Sequence, residues 1–150
     1  MSGGVRKTPN KKEDTQMATY YFDMDGVLAN FHKEAYPFAN AISREWIANL
    51  DPFMGNVNIV RKLIADGNKV YILSKAARET AAQGKMDWLA KYIPEMKAEN
   101  VIIIVGNGKK VDYIREDGIL VDDDEKNLRP WAKAGHATIH VAVKGMTITL

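Results

Sequence analysis

From residue 17 onward, short apolar runs alternate with segments of helical periodicity, and this alternation limits the fold more than any other feature of the chain. The apolar runs are rich in Val, Ile and Tyr and are bounded by Gly, Asn or Asp, which is typical of strands buried within a sheet. We expect strands at residues 18–22, 70–73, 101–105, 119–121 and 137–143.

Helices are predicted between these strands from the spacing of apolar residues. Segments 56–66 and 77–93 repeat apolar residues every three to four positions, and further helices are expected near 109–115 and 127–134. The alternation predicts an α/β fold, a three-layer Rossmann-like parallel sheet of about five strands with helices on both faces. The expected buried faces of the first two helices are Val57, Val60, Leu63 and Ile64, and Ala82, Met86, Leu89 and Ile93.

Length and composition narrow the class of protein. The chain has 150 residues, 46% of them hydrophobic, which fits one domain of about 100–200 residues. It has no cysteine, and this excludes disulfides, thiolate metal sites and a cysteine nucleophile. No apolar run approaches the ~18 residues that a membrane span needs, so we expect a cytoplasmic location and no membrane partner.

The net charge of +2 lies in the first 16 residues. This segment is polar and has no apolar stretch of the kind a signal peptide carries, so it is expected to be a disordered basic tail. Residues 17–150 have balanced charges and are expected to form a single domain. The charged residues of the tail are Arg6, Lys7, Lys11, Lys12, Glu13 and Asp14.

Polar side chains follow three of the predicted strands. Because parallel strands end at one edge of a sheet, we expect these side chains to lie together. Clustered carboxylates repel unless a proton or a cation neutralises them, and oxygen ligands favour a hard ion, best Mg²⁺. A serine hydroxyl and a lysine would bind phosphate. The residues at these ends are Asp23 and Asp25, then Ser74 and Lys75, then Asp122, Asp123 and Asp124.

The same segments resemble the motifs of the haloacid dehalogenase-like (HAD) phosphohydrolases. Their first, second and fourth motifs are similar to FDMDGVLANF at 22–31, VYILSKA at 70–76 and ILVDDDEKN at 119–127. The closest subgroup is the 5′(3′)-deoxyribonucleotidases, whose K-x-x-W-x-x-K-Y helix resembles KMDWLAKY at 85–92. The resemblance spans about residues 18–143 and implies a HAD-like fold with a cap inserted after the first strand.

The resemblance implies a catalytic role for four residues. Asp23 would be the nucleophile that forms an aspartyl-phosphate, and Asp25 would be the general acid and then the general base. Ser74 would bind the phosphoryl oxygens. Lys85 would neutralise charge in the transition state. Lys110, with Lys109 as its ambiguous neighbour, is the other candidate for this role.

The resemblance also implies a Mg²⁺ cofactor. Its ligands would be Asp23, the backbone carbonyl of Asp25, and either Asp122 or Asp123. Lys110 would join Ser74 and Lys85 in binding the substrate, and the strand-end argument adds Lys75 to these substrate-binding residues.

The segment between the first motif and the helix at 56–66 is short, so the expected cap, at about 30–55, is less than half as long as that of the nucleotidases. Its aromatic residues either stack on a substrate base or form the core of the cap. Lys75 replaces a small hydroxyl residue, and the fourth motif has extra acids where the nucleotidases carry an arginine. The aromatic residues are Phe31, Tyr36, Phe38 and Trp46.

These features predict a Mg²⁺-dependent phosphomonoester hydrolase, and the resemblance favours a nucleoside monophosphate as its substrate. A polynucleotide 3′-phosphate or a sugar phosphate is the alternative, so nucleic acid enters only as a substrate. A receiver-like or non-catalytic phosphate-binding domain is the alternative of another class, although the order of the acidic motifs disfavours it. The expected oligomeric state is a monomer or a homodimer.

Overall fold

Five parallel strands form one sheet in the part of the chain that the computed structural model describes, residues 17–31 and 43–150. In spatial order the sheet is β3-β2-β1-β4-β5, which places β1 at the centre. The predicted α/β class with a parallel sheet is confirmed. The strands are β1 (Thr19–Phe22), β2 (Lys69–Ala76), β3 (Val101–Val105), β4 (Ile119–Asp122) and β5 (Thr138–His140).

Four α-helices connect the described strands: α1 (Arg44–Ala48), α2 (Met54–Ala65), α3 (Glu79–Tyr92) and α4 (Glu125–Lys133). None of the helices in the described ranges has the length and apolar character needed to cross a membrane. The expected tail at 1–16 and the middle of the expected cap, at 32–42, lie outside the described residues.

The prediction of a full helix near 109–115 is wrong. The chain forms only a four-residue 3₁₀ helix there, Lys110–Tyr113, and a second one at Ala98–Asn100. Short 3₁₀ helices commonly serve as connectors. This connector begins with Lys110, whose side chain is only 2% exposed, so the segment supplies a buried cation and not an amphipathic face.

Helix α3 is present, but its buried face differs from the predicted one. Met86 is 38% exposed, whereas Lys85 is 2% exposed and Trp88 is fully buried. Apolar periodicity assigned the face to Met86 because it treats lysine as a surface residue. Here the lysine stem packs inside, and its ammonium group has polar partners at the end of β2.

The core lies on both faces of the sheet because successive strand side chains point to opposite sides. Tyr20 and Phe22 pack in the cluster that contains residues of α2 and α3. Tyr21 packs in the other cluster, with Leu128 and Trp131 of α4. The two helical layers hold the carboxyl ends of β1, β2 and β4 in register at one edge.

The segment after β5 returns to the loop that follows β1. Asn56, fully buried in α2, donates to the carbonyls of Val27 and Met146, both at 2.9 Å. Its side-chain oxygen accepts from the amide of Ile148 at 2.9 Å. One buried side chain therefore joins the loop, α2 and the segment after β5.

Candidate active site

The loop after β1 carries the first pair of carboxylates. The amide of Asp23 donates to the carbonyl of Val121 at 2.9 Å, which continues the pairing of β1 with β4 by one residue. Gly26 follows with φ +84, a conformation that side chains rarely adopt. A Cβ atom at this position would also collide with the carboxylate of Asp123. Glycine thus allows the loops of two strands to approach each other.

Three carboxylates meet at this edge. Asp23, Asp122 and Asp123 each offer an oxygen, and these oxygens all lie within 4.8 Å of one another. Burial raises the pKa of Asp23 well above its usual range; Lys110 opposes this effect, and the charges of Asp122 and Asp25 add to it. Burial and the Asp122 charge likewise raise the pKa of Asp123. Such a cluster of oxygen donors fits a hard divalent cation.

Lys110 bridges two of these carboxylates. Its Nζ lies 2.8 Å from Asp23 Oδ1 and 2.8 Å from Asp122 Oδ2. Burial alone would lower the pKa of Lys110, but the two carboxylates outweigh burial and raise that pKa above its ordinary value. Asp122 also accepts from the amide of Asp124 at 2.9 Å and from Asn127 Nδ2 at 3.2 Å. These contacts hold the fully buried Asp122 in one orientation.

Lys85 connects the side chains of Ser74 and Asp25. Its Nζ donates to Ser74 Oγ at 2.7 Å and to Asp25 Oδ2 at 3.0 Å. The second carboxylate oxygen, Asp25 Oδ1, is buried and makes no hydrogen bond within the described ranges. That oxygen therefore keeps an unused capacity to accept a hydrogen bond beside the Lys85 contact.

An open cleft of about 570 Å³ covers this group. Its size is within the range of about 300–1,000 Å³ that is usual for ligand pockets. A smaller cavity of about 140 Å³ shares Asp25, Phe31 and Lys75 with it and extends towards Lys85. The cleft is lined by Asp23, Asp25, Gly26, Phe31, Lys75, Lys110, Asp123, Asp124, Asn127 and Lys144.

The structure brings together nine residues that the sequence singled out. Six of them line the cleft. Of the other three, Asp122 contacts Lys110, Lys85 contacts Asp25, and Ser74 contacts Lys85. Sequence reasoning missed Asn127 and Lys144. Both follow predicted strands closely enough for the strand-end argument to have found them; Asn127 even ends the fourth-motif segment at 119–127, whereas Lys144 lies outside every motif.

Two aromatic residues of the expected cap are described. Phe31 lines the cleft, and Trp46 of α1 packs edge-to-face on it with ring centroids 5.4 Å apart. Tyr36 and Phe38 lie outside the described residues. The expected cap segment therefore contributes an aromatic pair beside the cleft.

Comparisons with known proteins give the family and the fold of the chain. The sequence profile of a family described as "5′ nucleotidase, deoxy (Pyrimidine), cytosolic type C protein" matches residues 35–140, more than two thirds of the chain. In fold the chain is similar to the HAD domain of effector protein Lem4 from Legionella pneumophila, with a TM-score of 0.55. That similarity covers 89% of each chain at 16% identity. A comparison with curated proteins finds no match.

Proposed function

The chain belongs to the cytosolic type C 5′-nucleotidase family of HAD-like phosphatases, and from this premise we propose that it hydrolyses phosphate monoesters through a phosphoryl group carried on Asp23. The observation that carries the proposal is the meeting of Asp23, Asp122, Asp123 and Lys110 at the carboxyl edge of the sheet. A carboxylate at that point has both a cationic neighbour and two further oxygens that can hold a metal.

In the proposed first step, an Asp23 oxygen attacks the phosphorus and the bond from phosphorus to the alcohol oxygen breaks. Asp25 gives its proton to the departing alkoxide, which leaves as the alcohol. In the second step, water attacks the aspartyl-phosphate while Asp25 takes a proton from it. Inorganic phosphate leaves, and Asp23 is restored as a carboxylate. The unpaired Asp25 Oδ1 supports this assignment.

Cations balance the charge of the transferring group. Lys85 is held by Ser74 and Asp25, and Lys110 by Asp23 and Asp122, so neither ammonium group must be reoriented when a phosphate enters. The cofactor we propose is Mg²⁺, held by Asp23, Asp122 and Asp123 with the Asp25 carbonyl. When bound, it supplies positive charge to the phosphoryl oxygens.

For the substrate we propose a deoxyribonucleoside monophosphate, because the family's description names a deoxy-pyrimidine 5′-nucleotidase. The cleft of about 570 Å³ has room for a nucleoside as well as its phosphate.

We further propose that residues 17–150 form one domain with a small cap at about 30–55. The cytosolic type named in that description favours the cytoplasm as its location.

Phosphate release tests the proposed function. Purified protein is incubated with deoxynucleoside monophosphates, sugar phosphates, a 3′-phosphorylated oligonucleotide and p-nitrophenyl phosphate, with Mg²⁺ or with EDTA. We expect release from the nucleotides with Mg²⁺ and none with EDTA. Absence of release from every ester, with a cooperative thermal transition proving that the protein is folded, would overturn the proposal.

Mg²⁺ is expected to stabilise the folded chain. A ligand that binds only the folded state at a hundred times its Kd adds about 2.7 kcal/mol, which corresponds to a rise in Tm of about 5 °C or more for a domain of this size. Thermal unfolding with and without Mg²⁺ measures the shift. Asp122→Asn should lose it, whereas Asp124→Asn, which keeps a helix-capping side chain at the start of α4, should retain it. An equal shift in both variants would contradict the assigned ligands.

A further inference from the structure

The backbone that follows β5 is fixed beside the catalytic loop. The amide of Gly145 donates to the carbonyl of Gly26 at 2.8 Å, and Gly145 has φ +73. A Cβ atom at Gly145 would collide with the ring of Phe53. Asn56 holds the next turn of the segment through Met146 and Ile148. These hydrogen bonds therefore fix the backbone of Lys144, which precedes Gly145, beside the cleft.

The lysines at the cleft fall into two classes. Lys85 and Lys110 are buried, and each bonds to an aspartate. Lys75 and Lys144 also line the cleft, but within the described ranges neither has an ion-pair or hydrogen-bond partner. The buried pair already serves the reacting phosphate. The two exposed ammonium groups have no assigned partner in the proposed chemistry.

We propose that Lys144, together with Lys75, binds a second phosphate group of the substrate and so selects phosphomonoesters that carry one. This inference rests on the proposed function. A lysine ammonium attracts phosphate as a point charge without a fixed geometry, which suits an open cleft mouth. Lys144 lies beyond residue 140, where the family match ends, so the match says nothing about this residue.

The test compares two ligands that differ by one phosphate, thymidine 5′-monophosphate and thymidine 3′,5′-bisphosphate. Their Kd values are measured by calorimetry with Mg²⁺ in the Asp23→Asn background, which prevents hydrolysis, and their KM values in the active protein. We expect the bisphosphate to bind about tenfold more tightly. Lys144→Gln should reduce that preference about fivefold, and Lys144→Arg should keep most of it.

Lys97→Gln is the matched control, because Lys97 is exposed and does not line the cleft.

A thymidine dinucleotide with a 5′-phosphate shows whether the second phosphate group that the site binds is a monoester or a diester. An unchanged preference in Lys144→Gln would overturn the inference, as would an equal loss for both ligands. If the preference falls but no ester is hydrolysed, the second phosphate site stands and the proposed hydrolysis fails. If esters are hydrolysed but the preference is unchanged, the hydrolysis stands and the second phosphate site fails.

Discussion

Replacing Asp23 by Asn is expected to lower kcat for phosphate release by about 10⁴-fold, since loss of a nucleophile costs at least that much in well-studied hydrolases. The amide has nearly the shape of the carboxylate and its oxygen can still accept from Lys110 Nζ, which lies 2.8 Å from Asp23 Oδ1. It cannot form the acyl phosphate, because the amide is a poor nucleophile. The measurement is release of inorganic phosphate from the best nucleotide substrate at saturating Mg²⁺.

Asp124→Asn makes the same chemical change within the same cleft. Asp124 caps α4 by accepting from the amide of Lys126 at 2.9 Å, and asparagine caps helices equally well. We expect its kcat to stay within about threefold of the wild type. Activity that survived in Asp23→Asn at the level of Asp124→Asn would show that Asp23 does not carry the phosphoryl group.

Lys110→Met is expected to reduce the free energy of unfolding by about 3–5 kcal/mol and to abolish activity. Removing one partner of a buried ion pair leaves an uncompensated charge, which is the costly outcome. Here Asp23 and Asp122 would both lose the ammonium group that lies 2.8 Å from each. Urea unfolding without Mg²⁺ measures the loss of stability, and phosphate release measures the loss of activity.

Lys109→Met is the control for this variant. Lys109 is the exposed neighbour of Lys110, so loss of its charge should lower the free energy of unfolding by less than about 0.5 kcal/mol.

The pKa of Lys110 is raised in the folded chain. The stabilisation is therefore complete below the pKa of an unfolded lysine, about 10.4, and is lost only as the pH rises through the folded value. Because Lys110 also holds down the raised pKa of Asp23, its loss lets Asp23 keep a proton to higher pH, so the difference in stability between the two variants should grow as the pH rises towards about 9. Similar stabilities for both variants would refute the bridging role.

Strand ends were the part of the site that the sequence could predict. Asp23, Ser74 and Asp122 each follow an apolar run that is typical of a buried strand, and parallel pairing brings the ends of such strands together. Their convergence follows from the topology, so no knowledge of side-chain packing was needed. The sheet itself was predictable for the same reason.

Residues that reach the site from helices and loops were harder to predict. Apolar periodicity placed Met86 in the core and left Lys85 outside, because the burial of a lysine depends on partners that lie far away in sequence. Lys110 sits in a 3₁₀ turn that has no periodic signal. Lys144 is held at the cleft by the hydrogen bond from the Gly145 amide to the Gly26 carbonyl and by the contacts of Asn56 with the following residues. No local pattern encodes contacts between residues so distant along the chain.

The central position of β1 has a consequence for how the protein becomes active. Its partners β2 and β4 begin about 50 and about 100 residues later in the chain. Asp23 therefore meets Lys110 and Asp122 only after the most distant pairing of the sheet has closed. A chain in which β1 and β4 are not yet paired lacks part of this charge set. An activity assay is therefore expected to count only those molecules in which the β1–β4 pairing has formed.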